Sequence, residues 1–190
     1  MLLWILLVVA AAFFLYLVFT FNSLVRTRQM ANEAWSGIDV QLKRRSDLVP
    51  NLVETVKGYA GHERSVLDEV TRLRGAARAL PDNDVASRAQ AEGALSLALG
   101  KLVALAENYP NLKASSNFLD LQQQLSQLET ELQMARRYYN GTVRNQNVLA
   151  QSFPSNLIAG LFGFGQRQYF EASDGDRAVP QVSLQPGSPA

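Results

Sequence analysis

The stretch ANEAWSGIDVQLKRRSDLVPNLVETV, residues 31–56, decides the fold of this 190-residue chain. Ala31, Trp35, Ile38, Leu42, Arg45, Val49 and Leu52 recur in it at alternating spacings of four and three. The same phase continues through Val56, Tyr59, Glu63, Val66, Val70, Leu73, Ala77 and Leu80. Such spacing keeps one face of an α-helix apolar, whereas a strand would alternate at every second residue. Two charges, Arg45 and Glu63, interrupt the stripe. An unpaired charge on a buried face is costly, so each is expected to find a partner of opposite sign, not necessarily the other. Pro50 conflicts with the pattern. Inside a helix, proline removes a hydrogen bond and clashes with the preceding turn, at a cost of about 3 kcal/mol. In a first turn it is tolerated, and Asp47 stands three residues earlier, where an N-cap belongs. The favoured reading is a chain reversal or sharp kink at residues 45–48, followed by a second helix to Ala79. The unbroken phase supports the rival, one long kinked helix.

Toward the N-terminus, no charged side chain occurs from Met1 to Val25. A bilayer core about 30 Å thick needs roughly 20 apolar residues as helix, and Leu2 to Phe21 meets that length. A retained anchor is expected rather than a cleaved signal. No Lys or Arg precedes the apolar run, and Ala10-Ala11-Ala12 lies in its middle. Arg26 and Arg28 follow the run, so the positive-inside bias predicts a minimal N-terminus outside and the large domain in the cytoplasm, anchored by a single pass. Clusters of Gly, Pro and Ser that would make a hinge are missing between Phe21 and Trp35. Span and first bundle helix are therefore expected to form one rod that orients the domain.

Toward the C-terminus, Pro81-Asp82-Asn83-Asp84 is a turn, with Asp84 placed to cap the next helix. That helix carries Leu95, Leu99, Leu102 and Ala106 on one face. Residues 93–106 are apolar, but too few to span and broken by Lys101, so a buried bundle helix is expected. Tyr109-Pro110-Asn111 breaks the chain again. Phe118, Leu121, Leu125, Leu128, Leu132, Ala135, Tyr139 and Thr142 then form the cleanest heptad, of the kind found in coiled coils. Four stripes joined by short turns predict an all-α protein: a transmembrane helix over 1–22 continuing into an antiparallel four-helix bundle over 23–152. An aromatic and glycine-rich segment follows over 153–172, and the composition of 173–190 predicts a disordered tail.

Composition narrows the chemistry. The net charge of +1, with both signs interspersed, provides no field that demands nucleic acid. Cysteine is absent, which removes disulfides and thiolate nucleophiles. His62 is the single histidine, so a Cys/His zinc site is excluded, and a Ser-His-Asp triad would need that residue. The pair His62-Glu63 lacks the second histidine of a metalloprotease, since Val66 stands there. Asp39, Asp47, Glu54, Glu63, Asp68 and Glu69 offer carboxylates, but a di-iron bundle needs Glu-x-x-His on two helices. Gly160-x-x-Gly163-x-Gly165 has neither the lysine nor the strand of a phosphate loop. Asn140-Gly141-Thr142 matches a glycosylation acceptor but falls in a predicted helix of a cytoplasmic bundle. No catalytic, metal or cofactor residue and no small-molecule substrate is expected. Lys43-Arg44-Arg45 would lie about 30 Å from the interface along a straight helix, far beyond a Debye length of about 8 Å. Ion pairs within the bundle are the expectation for them.

The segment from Leu157 to Phe170 admits two readings. Its aromatics cover an end of the bundle as a flap, or they dock a partner or membrane through Leu157, Phe162, Phe164, Tyr169 and Phe170.

These residues also carry a resemblance. Asn22-Ser23-Leu24-Val25, Ala34-Trp35, Ile38-Asp39-Val40-Gln41-Leu42-Lys43-Arg44-Arg45 and Asp47-Leu48-Val49-Pro50-Asn51-Leu52-Val53 resemble the signature of the LemA family. So do Lys57-Gly58-Tyr59-Ala60, His62-Glu63, Tyr138-Tyr139-Asn140, Phe153-Pro154-Ser155-Asn156, Gly163-Phe164 and Tyr169-Phe170-Glu171. The resemblance covers residues 1–172. It implies a bacterial membrane protein with a short outer N-terminus, one span and a four-helix bundle inside, and it carries over no catalytic residue. The function expected first is a non-enzymatic interaction scaffold or adaptor at the membrane, meeting the lipid bilayer and either a protein partner or itself through the bundle. The alternative is an accessory or regulatory subunit of a membrane-bound hydrolase or transport assembly.

Overall fold

The first helix, α1, runs from Leu2 to Tyr59 without interruption. At about 1.5 Å per residue its 58 residues extend about 87 Å. In the computed structural model, which describes residues 1–171, five further helices follow: α2 (Arg64–Ala79), α3 (Val85–Ala106), α4 (Pro110–Lys113), α5 (Ser116–Gln151) and α6 (Ser155–Leu161). No strand occurs among the described residues, and the tail expected to be disordered, 173–190, lies outside them.

The chain does not reverse at residues 45–48. Asp47 is an exposed mid-helix residue, not a cap, and Pro50 sits inside α1. Proline at position 50 leaves the Ser46 carbonyl without its helical donor. Arg74 of α2 supplies the replacement, its Nε–H donating to Ser46 O at 2.6 Å. Burial of Leu48, Val49 and Leu52 around the proline offsets the rest. Each such side chain is worth about 1.5–3 kcal/mol, against about 3 kcal/mol for the proline. The turn comes instead after Tyr59, where a Cβ on Gly61 would meet the Lys57 carbonyl at 3.2 Å. Glycine lets the chain close there.

Other elements lie where their patterns put them. The Asp84 side chain accepts the Ser87 N–H at 3.1 Å and caps α3. Leu95, Leu99, Leu102 and Ala106 are buried, so α3 is a bundle helix. Along α5, Phe118, Leu125, Leu132 and Tyr139 are buried at every seventh residue, with Leu121, Leu128 and Ala135 half-buried between them. Tyr109-Pro110 opens the one-turn α4, with proline in its first turn.

Two regions result. In the head, α1 beyond Asp39 packs with α2, α3 and the first half of α5 around Leu52, Val56, Val70, Leu99, Leu102 and Phe118. In the foot, α1 and the second half of α5 continue as a pair, the most extensive helix contact in the molecule. The start of α3 reaches this pair at Val85 and Ala89, and below it α6 and residues 164–171 complete the packing. Beyond the foot, residues 1–16 are exposed on all sides. They belong to the one helix among the described residues that is long and apolar enough to cross a membrane, and a core helix of that composition would be buried.

Candidate functional site

The foot begins with a strap. Residues 165–171 form no regular element and run along α5, held by two asparagines. Asn147 donates from Nδ2 to the Arg167 carbonyl at 2.9 Å and accepts the Arg167 N–H at Oδ1 at 2.8 Å. Asn140 treats Phe170 the same way, at 3.1 and 2.9 Å. Seven residues of helix rise about 10.5 Å, and three residues of extended chain cover about 10 Å, so the two registers match. Tyr139 adds a hydrogen bond from its hydroxyl to Gln168 O at 3.0 Å. Burial pushes the Tyr139 phenol above its ordinary pKa, which keeps it a donor. Phe170 is the anchor of the strap, buried with its ring centroid 5.8 Å from that of Trp35 and 5.0 Å from the Arg136 guanidinium. The Arg167 guanidinium reaches across to the Asn32 side chain on α1.

Below the strap, α6 folds back against α1. The Ser155 hydroxyl donates within the α5–α6 turn to the Leu149 and Ser152 carbonyls, at 2.6 and 2.8 Å. At the other end Gly163 takes a positive φ of 69°, and the Phe164 N–H bonds to Ala159 O at 2.9 Å, the glycine-terminated helix cap. That turn drives Phe164 into a small core with Leu24, Ile158 and Ala159. Phe21 meets Phe162 edge-on at 4.9 Å and Phe164 at 5.8 Å.

The segment therefore divides between its two readings. Phe164 and Phe170 are built into the fold, as a flap requires. Leu157, Phe162 and Tyr169 point outward, with Leu157 64% and Phe162 54% exposed. An apolar groove of about 400 Å³ lies between α6 and the end of the apolar stretch, walled by Phe14, Leu17 and Val18 on one side and by Leu157 and Leu161 on the other.

The head holds the charges. Arg45 is 1% exposed and donates to Glu92, to Glu129 at 2.6 Å and to the Ser96 hydroxyl at 2.6 Å, so one α1 side chain ties α3 to α5. Lys43 pairs with Asp39 at 2.9 Å and Arg44 with Glu131 at 3.6 Å. Glu63 departs from expectation. It is half-buried at the start of α2, has no cation partner among the described residues, and accepts from the Tyr109 hydroxyl at 3.3 Å. The chain turns one residue before it, so the stripe that carried Glu63 inward in the sequence ends at Tyr59. His62 is exposed in that turn.

Asp39, Asp82 and Arg88 form a second cluster, with Arg88 donating to both carboxylates at 2.9 Å. Partial burial raises the Asp39 carboxyl, but hydrogen bonds and charge from Lys43 and Arg88 outweigh it and hold the pKa below its ordinary value. A cleft of about 290 Å³ beside this cluster is lined by both signs, including Lys43, Arg74, Asp82 and Arg88. Asn140 stood out in the sequence only as a family residue and a glycosylation match, and Asn147 and Arg74 did not stand out at all. The asparagines share one heptad position on α5 directly after Tyr139 and Gln146, a repeat of polar residues that was available as a signal.

Comparison with known proteins finds related sequences over most of the chain. The LemA family model matches residues 34–184. Magnetosome protein MamQ of Magnetospirillum gryphiswaldense is 24% identical over 198 residues, covering 90% of this chain and 73% of its own. MamQ 2 of Paramagnetospirillum magneticum is similar to the same extent. Protein LemA of Metamycoplasma hominis is 27% identical over 162 residues, covering 85% of this chain and 74% of its own.

Proposed function

This chain belongs to the LemA family, and on that premise we propose that it is a membrane-tethered, non-enzymatic scaffold that holds its four-helix head at a fixed stand-off from the bilayer. One observation carries the reading: α1 is unbroken from the apolar stretch to the far end of the head. Along it, residues 39–59 lie about 27–57 Å beyond Phe21. A partner of the head, whether another protein or a second copy, is met at that height and in one orientation. Arg26 and Arg28 support a single pass with the head on the cytoplasmic side of the bacterial inner membrane.

Two measurements test this. Affinity purification from gently solubilised membranes is expected to recover a second copy or a protein partner, and a flexible Gly-Ser insertion after Val25 is expected to abolish cross-linking to it while leaving the helix content unchanged. Cross-linking that survives the insertion overturns the fixed stand-off. Hydrolytic activity of the purified chain overturns the non-enzymatic role, and a stoichiometric membrane enzyme among the recovered proteins favours an accessory subunit instead. A reporter fused after Ala190 that is active only outside the cytoplasm overturns the orientation.

A further inference from the structure

The outward face of α6 is apolar, and so is its inward face. Ile158 and Ala159 pack on Leu24, while Leu157 and Leu161, the latter 80% exposed, wall the open groove beside α1; Phe162 lies edge-on to Phe21 and stays half exposed, and Phe153 is exposed. Asn156 is the exposed polar residue of α6, and a short helix with one polar position and exposed leucines suits a membrane interface, where the apolar side is covered by lipid. No part of the described chain covers this outer face. Exposed apolar patches on soluble surfaces are small and scattered, whereas this one runs without a break into the exposed side of the apolar stretch.

Depth decides what covers it. The groove shared by α6 and α1 is walled by Phe14, Leu17, Val18 and Phe21, which belong to the stretch long and apolar enough to cross a bilayer. Phe14 lies about 10 Å along α1 from Phe21, and interfacial helices bury their apolar face about 5–10 Å into the boundary of headgroups and acyl chains. The sequence supports the same depth. No charged residue occurs between Arg144 and Arg167, and the first charges after the apolar stretch are Arg26 and Arg28. Arg28 lies about 10.5 Å past Phe21, at the level of the headgroups.

From these observations we infer that residues 153–162 form a second membrane attachment, an interfacial helix whose outer face and groove are filled by acyl chains of the leaflet on the side of the head. Two attachments joined through the Leu24, Ile158 and Phe164 core fix the rotation of the rod as well as its location. The exposed Arg26 and Arg28 beside the apolar stretch make anionic headgroups the favoured neighbours. This inference rests on α1 spanning the bilayer, so its test includes a probe of the span.

The chain lacks cysteine, which allows a single nitroxide label to be placed at will. Four variants of the full-length protein in vesicles of phosphatidylethanolamine and phosphatidylglycerol are sufficient: Val9→Cys in the span, Leu157→Cys and Leu161→Cys on α6, and Leu97→Cys on the exposed side of α3 as an aqueous reference. Collision with oxygen reports hydrocarbon, and collision with a water-soluble nickel complex reports solvent. The oxygen-to-nickel ratio at 157 and 161 is expected to resemble that at 9 and to exceed that at 97 several-fold. A ratio at 161 equal to that at 97, with 9 still in lipid, overturns the interfacial helix and leaves the span intact. Low access to both reagents at 161 means that another polypeptide covers the face, and this also overturns the inference. A water-like ratio at 9 removes the span itself, and the inference with it.

Discussion

Around Arg45 the chain gathers four long helices, whereas around Phe164 only two long ones, α1 and α5, meet the short α6, and each end closes its core by different means. In the head, apolar side chains from α1, α2, α3 and α5 meet one another, and Arg45 links three of those helices through Glu92, Glu129 and Ser96. In the foot, the places of two helices are taken by a seven-residue helix and a strap read through its backbone by Asn140 and Asn147. Side-chain volume specifies the head. The strap depends on hydrogen bonds whose net worth in water is about 1 kcal/mol each. The head is complete in water, whereas the foot, if α6 lies in the interface, borrows lipid to finish its packing.

The sharpest way to break this contrast is Arg45→Ala. Removing one member of a buried ionic cluster strands Glu92, which is itself buried, and should cost about 3–5 kcal/mol in chemical denaturation. Hydrogen exchange should then accelerate throughout α2 and α3 while the Arg167 and Phe170 amides stay protected. Loss of both together would show that head and foot form one cooperative unit. Arg74→Ala is expected to cost less, about 1.5–3 kcal/mol for a charge-assisted bond to Ser46 O. In a Pro50→Ala background the helix restores its own donor, so most of the Arg74 effect should disappear; additive losses would mean that Arg74 acts elsewhere.

Asn147→Ala tests the foot, and about 1–2 kcal/mol of local opening is expected from its two neutral bonds. Amide exchange at Arg167 should rise, and Trp35 emission, read in a Trp4→Phe background, should shift to the red as Phe170 leaves it. The melting temperature of the head should not move. The smallest effect concerns pH. Because the Asp39 pKa is lowered in the folded state, its contribution is complete above its ordinary value of 3.8 and is lost as pH falls through the lowered one. Asp39→Asn should therefore flatten the acid limb of a stability-against-pH curve, and an unchanged acid limb would remove Asp39 from the junction between head and foot.

Much of the head was legible. Every seventh residue of α5 from Phe118 to Tyr139 went inward because a heptad written in Phe, Leu and Tyr leaves a helix few other faces to bury. Asp84 was readable as a cap because capping is settled within one turn. Pro50 was not readable, because the donor that rescues Ser46 comes from Arg74, 28 residues further on and on another helix. Glu63 was misread for a related reason: the apolar phase persists across the turn at Gly61, although the helix does not. In the candidate site, the five aromatic and aliphatic residues were visible as a group, but their division into Phe164 and Phe170 inward and Leu157, Phe162 and Tyr169 outward was not.

The amino-acid sequence alone determined what depends on neighbours along the chain: helical periods, a cap, an apolar stretch of bilayer length and its rigid continuation. Tertiary structure alone decided where α1 ends, which charges pair, and which side of the foot faces outward. Those outcomes depend on groups distant in sequence, brought within hydrogen-bond reach only after the helices pack.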